Sequence, residues 1–229
     1  MKKLTKKRKQ LHLEIEAKLY SPLEGLTLLK KNAVANFIES VEAHVALNID
    51  PRYSDQQVRT TLILPKGTGK VKKIAVLLEN DKISSEIQNR VDIVGSDSLL
   101  ESIKQGNINF DILITTPNMM PKLAKFGRIL GPKGLMPSPK AGTVTSDILT
   151  AINDFKGGKI EYKADKTGIV HLGFGKVDFP LENLLENLQS IYTSLEQNKP
   201  TGVKGRYFKT FYICSTMGPS ILLDFTLFK

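Results

Sequence analysis

Residues 73–78 read KIAVLL, a lysine followed by five apolar side chains. The run is too short for a helix and too uniform for a strand with one wet face, but it suits a strand in a sheet covered on both sides. VDIVG (91–95) and FDILIT (110–115) repeat the pattern. Around them apolar residues switch to helical spacing: Ile83 with Ile87, then Leu99, Leu100 and Ile103, then Met119, Met120 and Leu123. This βαβαβα rhythm predicts a small, doubly wound α/β domain with helices on both faces of a parallel sheet.

LPKGTGK (64–70) reads as the linker into that domain. FKGGK (155–159) ends a helix that begins at Thr145 or Ser146 and buries Ile148, Leu149, Ile152 and Phe155. The middle domain is therefore expected over residues 68–159.

The flanks show a different pattern. VEAHVALNI (41–49) places Val41, Ala43, Val45, Leu47 and Ile49 on one face of a strand, and VRTTLIL (58–64) makes a second. GIVHLGFG (168–175) and YFKTFYIC (207–214) read as two more, separated by an amphipathic helix carrying Leu181, Leu184, Leu185, Leu188, Ile191, Tyr192 and Leu195. A shorter helix starts at Ser21 and Pro22 and is expected to bury Leu23, Leu26 and Leu29. Neither flank alone covers a sheet. Together, residues 1–67 and 160–229 are expected to form one discontinuous α+β domain, a four-stranded layer with two helices, into which the middle domain is inserted.

The chain has 229 residues, 41% of them apolar, and a net charge of +10, with a pI near 9.5. That balance points to a polyanionic partner, nucleic acid first and an anionic membrane surface second. The opening MKKLTKKRKQ reads as a basic arm, without the apolar run of a signal peptide and richer in Lys than a transit peptide. A lone Cys214 excludes an intrachain disulfide and a cluster built on several thiolates, and fits a reducing compartment.

Enzyme signatures are missing. Gly69-Lys70 and Gly175-Lys176 are followed by Val and lack the earlier glycine of a phosphate loop, and neither G-x-G pair has the third glycine of a dinucleotide fingerprint. His12, His44 and His171 are far apart in sequence and form no H-E-x-x-H, so no metal site and no cofactor is expected. Cys214 could act as a nucleophile near His171, but a small buried apolar residue is the favoured reading, and His44 and His171 are read as hydrogen-bonded structural residues.

Binding chemistry remains. No acid occurs from Ile112 to Ser146, where GRILGPKGLMPSPKAGTV (127–144) brings Arg128, Lys133 and Lys140 onto a glycine- and proline-rich loop. A second acid-free span, Gln197 to Leu223, mixes Lys199, Lys204, Arg206 and Lys209 with Tyr207, Phe208, Phe211 and Tyr212. Lysines neutralise phosphate and aromatic faces stack on unpaired bases. KGRYFKTF (204–211) partly matches an RNA-recognition motif, and a turn leading into a core-packing strand explains it equally well.

FIESVEAHVALNIDPRYSDQQVRTTLILPKGTGK (37–70), GRILGPKGLMPSPKAGTV, KADKTGIVH (163–171) and STMGPS (215–220) occur in order. In these blocks the chain resembles the ribosomal protein L-one family, the large-subunit stalk proteins of bacterial and plastid type. The resemblance implies a discontinuous α+β domain (a split βαβ, RRM-like layer) that grips the ribosomal RNA stalk, and an inserted Rossmann-like three-layer domain on a two-stranded hinge. It also implies action beside the exit site, help in releasing deacylated tRNA, and repression of the protein's own mRNA. No catalysis and no membrane is implied, and the protein is expected as a monomer within the ribosome.

Carried over by the resemblance, the rRNA-binding candidates are Phe37, Glu39, Lys166, Thr167, Gly168, His171, Thr216, Met217 and Gly218. Asn36 stands where the family usually has Lys, which removes a phosphate contact. The Arg128, Lys133 and Lys140 loop is expected to face the interdomain cleft or a passing tRNA. Composition rich in Lys, Ile and Asn suggests a chloroplast (plastid) ribosome, with the bacterial cytoplasm as the alternative. The competing reading is a nucleotide- or metabolite-binding enzyme using the inserted domain, its ligand at the carboxyl ends of the strands.

Overall fold

The computed structural model describes residues 15, 16, 18–79 and 84–228. The basic arm and Ile83 lie outside the described residues. The chain forms two compact units that divide between Gly69 and Lys70 and again between Lys159 and Ile160.

The first unit is built on β1 (Ser40–Leu47), which lies between β7 (Ile169–Lys176) and β8 (Phe208–Ser215), with β9 (Ile221–Leu223) beyond β8. All pairings are antiparallel. Val41, Ala43, Val45 and Leu47 point into the core, as their alternation predicts, along with Val170, Leu172, Phe174, Phe211 and Ile213. Helices α1 (Pro22–Lys31) and α7 (Leu181–Gln197) supply Leu26, Leu29, Leu184, Leu188, Ile191 and Leu195 to the same core. The four side chains of α7 are at most 0% exposed, each worth about 1.5–3 kcal/mol of burial.

The fourth strand of this sheet differs from expectation. VRTTLIL does make a strand, β2 (Arg59–Ile63), but it pairs with β6 (Lys159–Lys163) in a separate two-stranded sheet. Its alternation is weak, with three half-buried residues between two exposed ones, so no single face commits it to the main core. The place beside β8 goes to Ile221–Leu223, whose Ile221 and Leu223 are buried. The apolar tail thus completes the core: Phe225 and Phe228 close over Tyr192, Phe208 and Phe211.

Two smaller differences follow from packing. Leu23 is exposed, because α1 turns Gly25 toward the sheet, where a Cβ would come within 2.3 Å of Leu223. Cys214 is half-buried on the sheet's outer face, since Ile213 and Ser215 take the inward positions of β8.

The second unit holds a three-stranded parallel sheet, β4 (Ile93–Gly95), β3 (Ile74–Leu77) and β5 (Ile112–Thr115), in that spatial order. All four residues of β3 are buried, Ala75 and Leu77 in one apolar cluster and Ile74 and Val76 in another on the opposite face. Helix α2 (Ser85–Arg90) and the long C-terminal helix α6 (Ile148–Lys156) contribute Ile87, Ile148, Ile152 and Phe155 to the second cluster. Helix α3 (Asp97–Lys104) contributes Leu99, Leu100 and Ile103 to the first. Helix α6 begins later than Thr145. The backbone around Val144 bridges to Thr115 at the sheet edge, Thr145 N–H donating to the Thr115 carbonyl at 3.1 Å, so Asp147 becomes the N-cap.

Candidate nucleic-acid interface

Glu39 organises one end of the first unit's sheet. It lies just before β1 and is 2% exposed, with both carboxylate oxygens occupied. One accepts the Ala35 N–H at 3.1 Å and the other the Met217 N–H at 2.8 Å, so a single carboxylate ties residues 33–39 to the turn after β8. Thr216 reinforces the tie: its hydroxyl accepts the Ser40 N–H at 3.0 Å, and its own N–H donates to the Ser40 carbonyl at 3.1 Å. Gly218 N–H donates to the Ser215 carbonyl at 3.2 Å, and a Cβ there would sit 2.3 Å from the buried Ser215 hydroxyl.

The result is a pinned turn that holds large apolar side chains in solvent. Phe37 is 55% exposed and Met217 59%, with Ile38 also exposed beside them. None of the three is covered by the folded unit. Thr216, Met217 and Gly218 are thereby tied to the segment that carries Phe37, and Glu39 is the buried residue that makes the tie.

The KADKTGIVH block lies elsewhere. Ala46 pairs with Ile169 at one end of the β1–β7 ladder and Ser40 with Lys176 at the other, so Lys166, Thr167 and Gly168 sit about 20 Å from Thr216 along the strand. Asp165 shapes this turn by accepting the Thr167 and Ile169 N–H groups, each at 2.8 Å, and the Thr167 hydroxyl at 2.7 Å. Those bonds, the one from Ile169 foremost, hold its carboxyl down at about 2. Gly168 adopts φ +80° and closes against the Leu47 and Ile49 carbonyls, 3.3 and 3.2 Å from where a Cβ would be.

His171 lies between the two ends. It pairs across the ladder with His44, and their Nδ1 atoms are 2.8 Å apart. His44 Nε2 reaches the Cys214 sulfur at 3.2 Å. Burial, and then the neighbouring His171, lower the His44 pKa, while burial and then Glu42 raise that of the Cys214 thiol. The histidines are therefore hydrogen-bonded as expected, though to each other and on the outer face.

The second acid-free span does not form a stacking platform. Tyr207, Phe208 and Phe211 are at most 6% exposed and pack inward, leaving the half-buried Tyr212 on the outer face. The core-packing explanation of KGRYFKTF is the correct one.

In the second unit, GRILGPKGLMPSPKAGTV runs from the short helix α5 (Gly127–Leu130) to the Val144 bridge, within one unit and not between two. Leu135 N–H returns to the Leu130 carbonyl at 3.0 Å, and the Thr143 hydroxyl accepts the Ser138 N–H at 2.8 Å, which fixes the loop's shape. Arg128, Lys133 and Lys140 are all exposed on it.

The ribosomal protein L1p/L10e family model matches residues 29–219. This chain belongs to that family. It is a family of ribosomal proteins and not of enzymes, so the reading of the inserted unit as a nucleotide- or metabolite-binding enzyme is set aside. Among similar proteins, large ribosomal subunit protein uL1 of Prochlorococcus marinus (strain AS9601) is 55% identical over 224 residues, covering 98% of this chain and 95% of its own. Large ribosomal subunit protein uL1c of Rhodomonas salina is 53% identical over 229 residues, covering 100% and 98%. The uL1c of Guillardia theta is 54% identical over the same 229 residues. Among the described residues, no helix is long and apolar enough to cross a membrane.

Proposed function

We propose that this chain is a structural component of the large ribosomal subunit, in a ribosome of plastid or bacterial type, that binds the ribosomal RNA stalk through its first unit. The observation that carries the reading is the exposed Phe37–Met217 patch held by the buried Glu39 and by the Thr216–Ser40 bonds. A preorganised apolar surface suits the sugar and base edges of an irregular RNA, because the ordering cost of the loops is met in folding and not in binding. Thr216 sits at the rim of this patch, where a hydroxyl suits phosphate or ribose 2′-hydroxyl.

The Lys166–Gly168 turn and His171 extend the contact along the outer face, the turn serving the RNA backbone some 20 Å from Thr216. Lys133, Lys140 and Arg128 form a separate basic surface on the inserted unit that serves a passing exit-site tRNA. On the same reading the protein aids release of deacylated tRNA, and its stalk site also recognises a like-folded segment of its own mRNA.

The test is binding of the full chain to a large-subunit stalk RNA fragment at several salt concentrations. Affinity should fall steeply as salt rises. Thr216→Ala combined with Met217→Ala should cost on the order of 2 kcal/mol or more. An unchanged affinity in the double variant would refute the site, and absence of stalk binding would refute the function. Charge-neutral replacements at Lys133 and Lys140 should leave isolated stalk binding intact. A loss as large as at Thr216 and Met217 would overturn the division between the two surfaces.

A further inference from the structure

Three groups with metal-ligating chemistry converge on the outer face of the first unit's sheet. Glu42 and Cys214 are direct cross-strand partners on β1 and β8, and His44 is two residues along β1, so all three side chains leave the same face. His44 Nε2 is 3.2 Å from the Cys214 sulfur and 3.8 Å from the Glu42 carboxylate, and the three ligand atoms lie within 4.8 Å of one another. Atoms bonded to one tetrahedral ion at about 2.0–2.3 Å sit roughly 3.3–3.7 Å apart, so the two spacings from His44 bracket what such an ion requires.

We propose that Glu42, His44 and Cys214 form a binding site for a thiophilic divalent cation of the zinc type, with a fourth position open to water. The neighbours orient the ligands for this. His171 Nε2 lies 3.7 Å from the Asp165 carboxylate, beyond hydrogen-bond reach but close enough for its negative charge to favour the proton on that nitrogen, with His171 Nδ1 as the acceptor. In that tautomer His44 Nδ1–H donates to it across 2.8 Å, and His44 Nε2 turns a bare lone pair toward the cysteine. A hydrogen-bonded partner behind a ligating imidazole, the role His171 takes for His44, is what fixes tautomer and ring orientation in metal sites. On binding, the cation replaces the Cys214 thiol proton, which leaves to solvent, and a sulfur–metal bond forms. Imidazole, thiolate and carboxylate together favour zinc over magnesium or calcium, whose preferred donors are all oxygen. The strands hold the ligands before any ion arrives, so little ordering cost opposes binding.

Cobalt(II) titration of the purified full chain, under reducing and chelator-free conditions, tests the site. One equivalent should bind, with a thiolate-to-cobalt charge-transfer absorption in the near ultraviolet, and zinc should bleach it. His171→Gln should weaken cobalt by about 10–100-fold. His44→Gln and Cys214→Ser should weaken it further, while circular dichroism stays that of the parent. Glu42→Gln, a near-isosteric change at a half-buried position on the outer face, provides a third ligand variant should either of those fail to fold. No charge-transfer absorption on saturation, or equal cobalt affinity in a folded ligand variant, overturns the proposal. Neither readout involves RNA, so the outcome is independent of the stalk reading.

Discussion

Replacing Glu39 by glutamine separates two ways in which a residue can matter to a binding surface. The parent carboxylate accepts two backbone N–H groups while 2% exposed. A hydrogen bond to a charged group contributes about 1.5–3 kcal/mol and a neutral one about 1. Glutamine keeps one acceptor but turns its NH2 toward the other N–H, so one bond is lost and one is weakened. Easier burial of the neutral amide offsets part of this, leaving a net cost of about 2 kcal/mol. For a unit of this size that is a fall of roughly 4–8 °C in the melting temperature. Stalk RNA affinity should drop as well, by about tenfold or more, because Phe37 and Met217 lose the tie that fixes their spacing. Met217→Ala is the matched control: its side chain is 59% exposed, so the melting temperature should stay within about 1 °C while affinity falls comparably. Calorimetry and RNA titration on both variants decide the matter. If Glu39→Gln left both quantities unchanged, or if Met217→Ala lowered the melting temperature as much, the assignment of Glu39 as the buried tie would be wrong.

Other substitutions test other links. Gly168→Ala should destabilise the first unit by at least about 1 kcal/mol in denaturant titration, because φ is +80° and the Ile49 and Leu47 carbonyls close over the site. Asp165 titrates at about 2 in the folded chain, below an unfolded carboxyl near 3.9, so its contribution is present above pH ~4 and is lost as pH falls toward 2. Asp165→Asn should flatten the pH dependence of stability across that window, and an unchanged slope would reject the turn's role. Leu223→Ala should cost about 2–5 kcal/mol by thermal unfolding, since this tail residue is 0% exposed between β8 and α1.

What could be read from the chain depended on where the deciding interaction lies. Val41 to Leu47 and Ile74 to Leu77 declare themselves because burial on one face or on both leaves a period in the sequence itself. VRTTLIL was placed in the wrong sheet because local pattern says that a segment is extended but not which edge receives it, and Ile221–Leu223 is short enough to pass for a turn. Glu39 is a buried carboxylate whose partners are backbone N–H groups at Ala35 and Met217, and backbone donors carry no sequence signal. The meeting of His44, His171 and Cys214 is equally silent. Register brings together residues 127 and 170 positions apart, and the expectation of no metal ligand set rested on that separation. The signal that was available is parity: Glu42 and His44 fall on the strand face opposite Val41, Ala43 and Val45, where outward-pointing groups gather.

The split of the first unit between two distant stretches of chain sets an order on synthesis. Translation delivers residues in sequence, and the unit spanning Lys70–Lys159 is contiguous, so all of it is available to fold while β7, β8 and β9 are still being made. At 5–20 residues per second, the wait for β8 and β9 is a matter of seconds. Until residue 169 is made, β1 has neither of its sheet neighbours, and its buried face, Val41, Ala43, Val45 and Leu47, lacks the strands and the long helix that cover it in the finished core. A nascent chain stalled before Ile169 should therefore carry a folded inserted unit and an exposed apolar strand, a state in which chaperones and not RNA are the fitting partners.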